Sequence, residues 1–138
     1  MPFEVFVDTG AWLALSDARD ALHQEAETIY LDLLRQSGHL VTTILVVAET
    51  YEAIRRAGGH ALAIRYLGSV RASTTLIRIY SDAQVERLAE DILRQFGDQR
   101  FSYVDAVSFA VMGNRKITQA FAFDHHFETA GFTLASAS

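Results

Sequence analysis

Apolar residues along this chain fall into short unbroken runs that alternate with longer stretches of helical spacing. The first run, residues 5–7, lacks the in–out alternation of a half-exposed strand and reads as a buried, parallel-type strand. Further strands are expected at 39–42, at 76–80 with Ile77 and Ile79 on one side, at 120–123 ending in Asp124, and at 132–134. Between them, residues 11–15 read as a short helix ending near Ser16-Asp17. From about Asp20, the positions Leu22, Ala26, Ile29, Tyr30, Leu33 and Leu34 keep helical spacing until Gly38 stops them. A helix over 60–71 has Leu62, Tyr66, Leu67 and Val70 as its core face. The clearest amphipathic stripe is Val85, Leu88, Ala89, Ile92, Leu93 and Phe96, capped by Ser81-Asp82 and closed by Gly97. Ser102 caps a helix over 103–113, and 127–130 reads as one helical turn.

One stretch is ambiguous. Residues 44–54 open with β-branched side chains, which favours strand, yet their length and the Ala, Glu and Ile that follow favour helix. As a helix, the stretch is capped by Thr42-Thr43 and ends at Gly58-Gly59 after Arg55-Arg56, a basic pair suited to a helix C-terminus.

Strands alternating with helices imply an α/β fold: a single domain over residues 1–138, with a mainly parallel central sheet flanked by helices on both faces. Pro2 precedes the first strand. Half of the 138 residues are hydrophobic and 21% are charged, enough for a real core. The net charge of −5 means that nucleic acid is not drawn in by bulk charge; binding it needs a local basic patch or metal ions. The absence of cysteine excludes disulfides, thiol catalysis and thiolate metal sites. No apolar run is long enough to span a bilayer and no signal segment opens the chain, so a cytoplasmic protein without membrane contact is expected.

Against this background four acids stand out. Asp8 closes the first strand, Asp124 closes a late one, Glu49 sits inside an apolar run, and Asp105 lies in the first turn of a helix. Most other acids, such as Glu25, Asp32, Glu86, Glu90 and Asp91, fall on polar helix sides. For any one of the four, a helix cap, a turn or a salt bridge is the simpler explanation. Together they are harder to dismiss, because carboxylates brought to one sheet edge need a compensating charge. Oxygen ligands without Cys or an obvious His set suit Mg²⁺ or Mn²⁺, ions that assist phosphodiester hydrolysis.

The residues around these acids carry a resemblance. Phe6-Val7-Asp8-Thr9-Gly10-Ala11-Trp12, Val47-Ala48-Glu49-Thr50, Ser102-Tyr103-Val104-Asp105-Ala106-Val107, and Ala122-Phe123-Asp124-His125-His126-Phe127 with Gly131-Phe132 occur in that order over nearly the whole chain. In this it resembles the PIN-domain ribonucleases, and most closely the VapC toxins of bacterial toxin–antitoxin pairs. The resemblance implies a PIN domain and a metal-dependent endoribonuclease. Asp8, Glu49, Asp105 and Asp124 would then be catalytic ligands of Mg²⁺ or Mn²⁺, with Thr9 supporting Asp8 and Ser102 capping the Asp105 helix. It further implies in-line attack of water on the scissile phosphate, leaving 5′-phosphate and 3′-hydroxyl ends. A tRNA or rRNA loop as substrate, a cognate antitoxin that occludes the acidic site, and a homodimer are implied in the same way.

Other readings of the same residues remain beside this one. Asp8-Thr9-Gly10 also spells the aspartic-protease triplet, but that enzyme needs two such loops on a mostly β scaffold, which the long helices oppose. A non-catalytic PIN-like module binding RNA or protein, a solitary PIN nuclease without antitoxin, and a DNA-directed nuclease use the same framework. His125-His126 suggest a metal ligand or general base, but neighbours do not share a face, and turn residues at the mouth of the site are the simpler reading, with His125 a candidate phosphate contact. Arg100, in the loop before Asp105, is the preferred basic residue for an RNA phosphate. Trp12, Phe3 and Phe6 read as core.

Overall fold

The computed structural model describes residues 3–36 and 38–137; Pro2 lies outside them. Strand β1 (Glu4–Val7) leads into helices α1 (Thr9–Ser16) and α2 (His23–Arg35), then β2 (His39–Thr43), α3 (Ile44–Gly58) and α4 (His60–Ala72). After β3 (Leu76–Ile79) come α5 (Ala83–Gln95), α6 (Tyr103–Arg115), β4 (Gln119–Phe121), α7 (His126–Thr129) and β5 (Thr133–Leu134). The five strands form one sheet in the order β3-β2-β1-β4-β5, and every pairing is parallel. The expected strand and helix order is therefore the observed one.

Connections β1→β2→β3 step outward in one direction, and the chain then returns to place β4 on the other side of β1. Right-handed crossovers put helices from the two directions on opposite faces of such a sheet. The packing agrees: α1 contacts α2 and α3, α3 lies along α4, and α5 lies along α6. Strand order thus reverses between β1 and β4, whose ladder pairs Phe6 with Ala120 and Val7 with Phe121. A crevice opens outside the carboxyl ends of the strands at such a reversal. Val5, Phe6 and Val7 are fully buried, as a central strand covered on both faces requires. Phe3 is more open than expected, at 36% exposure, because it lies before the strand begins.

The ambiguous stretch is a helix, and its first residues show why. Thr43 ends β2 and also caps α3, its Oγ1 accepting from the Val46 N–H at 3.1 Å. Val46, Val47, Thr50 and Ile54 then fall on one buried stripe, a spacing only a helix supplies. Thr50 is buried at no cost in hydrogen bonding, since its hydroxyl donates to Val46 O at 2.7 Å. Helix α6 is apolar nearly all round, with every residue from Ala106 to Met112 buried, and it forms the centre of its layer. Phe109 within it meets Phe101, Phe127 and Phe132 ring to ring.

Strand β4 is shorter than the apolar run suggests. Pairing stops at Phe121, because β1 ends at Val7 and β5 has two residues. Phe123 and Asp124 fall in the turn before α7, where Asp124 Oδ1 accepts from the His126 N–H at 2.9 Å. That is the local bond by which aspartates make turns. Among the described residues, no helix is long and apolar enough to cross a membrane.

Candidate active site

Asp8 follows Val7 directly at the reversal of strand order. Its N–H donates to Phe121 O at 3.0 Å, carrying the β1–β4 ladder one residue further. Its C=O accepts from the Trp12 N–H at 3.1 Å, which starts α1. Asp8 is thus the N-cap of α1 by backbone, with extended dihedrals, yet its carboxylate makes no capping bond. The side chain is left for the crevice. Thr9 and Gly10, which lie before the short helix expected over 11–15, are instead its first residues.

Asp8 is only 7% exposed. Burial is the main force on its carboxyl, pushing the pKa up from 3.8 to about 7. The Thr9 backbone N–H opposes this, while the negative charges of Asp105, Glu49 and Asp124 add to it. The four acids singled out in the sequence therefore converge.

Each arrives on a different element. Glu49 is exposed on α3, and its Oε1 accepts from Thr9 Oγ1 at 2.8 Å. The Thr9 hydroxyl thus holds Glu49, while its backbone N–H is the part that reaches the Asp8 carboxylate. Asp105 occupies the third position of α6 in a reciprocal cap with Ser102. Ser102 Oγ accepts from the Asp105 N–H at 3.0 Å, and Asp105 Oδ2 accepts from the Ser102 N–H at 3.0 Å. Capping and site roles coexist here, because a carboxylate oxygen that accepts one N–H keeps a second lone pair. Asp124 enters from the turn before α7, with its Oδ1 held by the His126 N–H. Among the described residues, no arginine or lysine pairs with any of the four.

The residue that sequence reasoning set aside as part of a turn is His126. Its Nδ1 lies 3.2 Å from Asp105 Oδ2 and 3.3 Å from Asp124 Oδ2, and ligand atoms of the three side chains lie within 4.8 Å of one another. The edge of the buried Phe101 ring packs on the imidazole, with centroids 5.3 Å apart at 71°. His125 behaves as the expected turn residue: its side chain is 80% exposed and its Nδ1 is 3.9 Å from Asp124 Oδ1. A signal was available in the Asp-X-His spacing. An aspartate that turns the chain bonds the N–H two residues on, and so fixes that residue beside it.

Arg100 is exposed in the loop before α6, and the residue after it, Phe101, is the one that packs on His126. Trp12 is core, as expected, and its Nε1 reaches Thr42 Oγ1 at 3.5 Å while Thr42 donates to Val7 O at 2.9 Å. Four carboxylates and one imidazole, with no balancing Lys or Arg among the described residues, are the donor chemistry of a divalent-cation site.

Comparison with known proteins agrees with this geometry. Residues 5–133 match the PIN domain family model. The chain is 35% identical over 128 residues to the 23S rRNA-specific endonuclease VapC20 of Mycobacterium tuberculosis, covering 93% of this chain and 95% of that one. The crystal structure of that protein, described as a sarcin–ricin loop cleaving toxin, superposes with a TM-score of 0.85 over 94% of this chain and 96% of the other. VapBC2 of Rickettsia felis, solved bound to a fragment of its promoter DNA, has a TM-score of 0.71 at 12% identity, over 96% and 97% of the two chains. At that identity it supports the fold alone.

Proposed function

The chain belongs to the PIN-domain family, among its VapC-type members, and from that premise we propose that it is a metal-dependent endoribonuclease, the toxin of a toxin–antitoxin pair. One observation carries the reading. Four carboxylates converge with no lysine or arginine paired to them among the described residues, and burial, with the charges of the other three adding to it, raises Asp8 to about 7, a cost that a divalent cation relieves. Asp8, Glu49, Asp105 and Asp124 would hold Mg²⁺, with Mn²⁺ able to take its place. The ion would lower the pKa of water and neutralise charge on the scissile phosphate.

The chain's own groups set the stage for that chemistry. Thr9 orients Glu49, the Ser102 cap fixes Asp105, and the His126 N–H fixes Asp124. His125, exposed beside Asp124, and Arg100, exposed in the loop before α6, contact the RNA backbone in this reading. The 35% identity to a 23S rRNA-specific endonuclease favours a ribosomal RNA loop over tRNA as substrate. An antitoxin covering the acidic crevice, a homodimer and a cytoplasmic setting complete the proposal.

The test uses purified, nuclease-free protein with a sarcin–ricin-loop oligonucleotide and a tRNA panel, in Mg²⁺ and Mn²⁺. Wild type is expected to cut the rRNA loop at one position, and EDTA to stop it. Asp8→Asn and Asp105→Asn are expected to lose at least a hundredfold in rate while melting cooperatively. Full activity in both variants would overturn the assignment.

A further inference from the structure

We propose that His126 is itself a ligand of the cation, through Nδ1, and that it biases the site towards Mn²⁺ and against Mg²⁺. This rests on the reading above that the acids hold a divalent ion, and it adds a nitrogen to a set otherwise made of oxygen.

The geometry is that of adjacent ligands. Two donor atoms at right angles about one ion, each roughly 2.1 Å from it, are separated by about 3 Å. His126 Nδ1 is 3.2 Å from Asp105 Oδ2 and 3.3 Å from Asp124 Oδ2. One nitrogen thus stands at that spacing from two carboxylates on different elements. Neither carboxylate is free to swing away. Asp105 Oδ2 is tied to the Ser102 N–H, and Asp124 Oδ1 is tied to the His126 N–H. The imidazole is equally fixed: its side chain is 20% exposed, Phe101 packs its edge against it, and the next residue, Phe127, is fully buried. A ring held this way offers Nδ1 without reorganisation.

The same distances suit hydrogen bonds from an Nδ1–H to the two carboxylates. In that arrangement the histidine only positions the acids, and its loss weakens every cation alike. A direct ligand acts selectively. Mg²⁺ prefers oxygen and demands near-ideal octahedral geometry, whereas first-row transition ions accept imidazole readily.

The experiment uses full-length protein, Mn²⁺ and Mg²⁺ alone, and no RNA. Pulsed electron paramagnetic resonance of the Mn²⁺ complex should show a directly bound ¹⁴N that changes on ¹⁵N-histidine labelling and vanishes in His126→Ala. Calorimetry should find Mn²⁺ affinity down at least tenfold in His126→Ala and Mg²⁺ affinity changed less than threefold. Absence of the ¹⁴N coupling in wild type overturns the proposal, and this outcome does not depend on the variant folding. So does an equal loss for both ions. If Asp105→Asn abolishes ion binding while wild type shows no nitrogen ligand, the carboxylate site stands and only the histidine falls. If wild type binds neither ion, both fall together.

Discussion

Burial and three neighbouring carboxylates raise the Asp8 carboxyl to about 7 in the folded chain, against 3.8 when free. Between those values the native state holds a proton that the unfolded chain has released. Stability therefore falls as pH rises through that window, at up to about 1.4 kcal/mol per pH unit from this group. In EDTA, wild type should lose stability from about pH 4 to about pH 7, the interval between the two values. Asp8→Asn should remove that loss and be the more stable protein by roughly 2 kcal/mol or more above the window. Urea melts across the pH range measure this directly. If Asp8→Asn is the weaker protein at the alkaline end, burial and repulsion are not what govern Asp8. Added Mn²⁺ should reverse the order of the two proteins, because an ion that binds only the native site stabilises by mass action. At this scale the sequence was legible where chemistry contradicted surroundings. Asp8 and Asp105 stood out among apolar neighbours and are indeed withdrawn from solvent, at 7% exposure for the Asp8 residue and 13% for the Asp105 side chain. Glu49 stood out for the same reason, although it is exposed: the apolar run around it is one buried stripe of a helix, and Glu49 lies off that stripe. His126 did not stand out, because adjacency to His125 hid the fact that only one of the pair turns inward.

The acids meet because strand ends and helix starts meet. Asp8 is the junction of β1 and α1, Asp105 lies in the first turn of α6, Asp124 stands two residues before α7, and Glu49 is in the second turn after the β2–α3 junction. Helix positions were legible because caps announced them: Thr43, Asp82 and Ser102 each accept from a backbone N–H three residues on. The end of β4 was not, since apolar character continues through Phe123 after pairing has stopped, and pairing is a property of the neighbouring strands. The Ser102 cap has a consequence for the site. Ser102→Ala removes the acceptor for the Asp105 N–H, a loss of about 1 kcal/mol in stability, and loosens the helix start that aims Asp105. Ion affinity should then fall by roughly tenfold, as for other residues that orient ligands. Ser102→Thr, which caps almost as well, should restore both. A drop in melting temperature with unchanged ion affinity would show that the cap serves the helix alone.

Parallel strands place all four acids at one pole of the molecule, and the chain as a whole carries a net charge of −5. An RNA approaching that pole meets repulsion from the site that is to cut it. Association must therefore rest on the ion and on cations at the rim. The basic residues look scattered in sequence, and the fold engages three of them elsewhere. Arg115 is bound to Glu4 by two hydrogen bonds of 3.1 and 2.7 Å at the far end of β1, Arg19 is held by Asp17, and Arg94 bridges Glu90 and Asp91 along α5. Arg100 differs in position: it is exposed, one residue from the Phe101 ring that supports His126. Reversing its charge should weaken RNA binding without disturbing the acids. In Arg100→Glu we expect KM for an rRNA-loop oligonucleotide to rise at least tenfold and kcat to change less than threefold. Ion affinity measured without RNA should stay at the wild-type value, and the KM difference should shrink as salt is raised, because the contact is electrostatic. A fall in kcat at unchanged KM would place Arg100 in the chemical step instead, and an unchanged KM and kcat would move the RNA path to another side of the crevice.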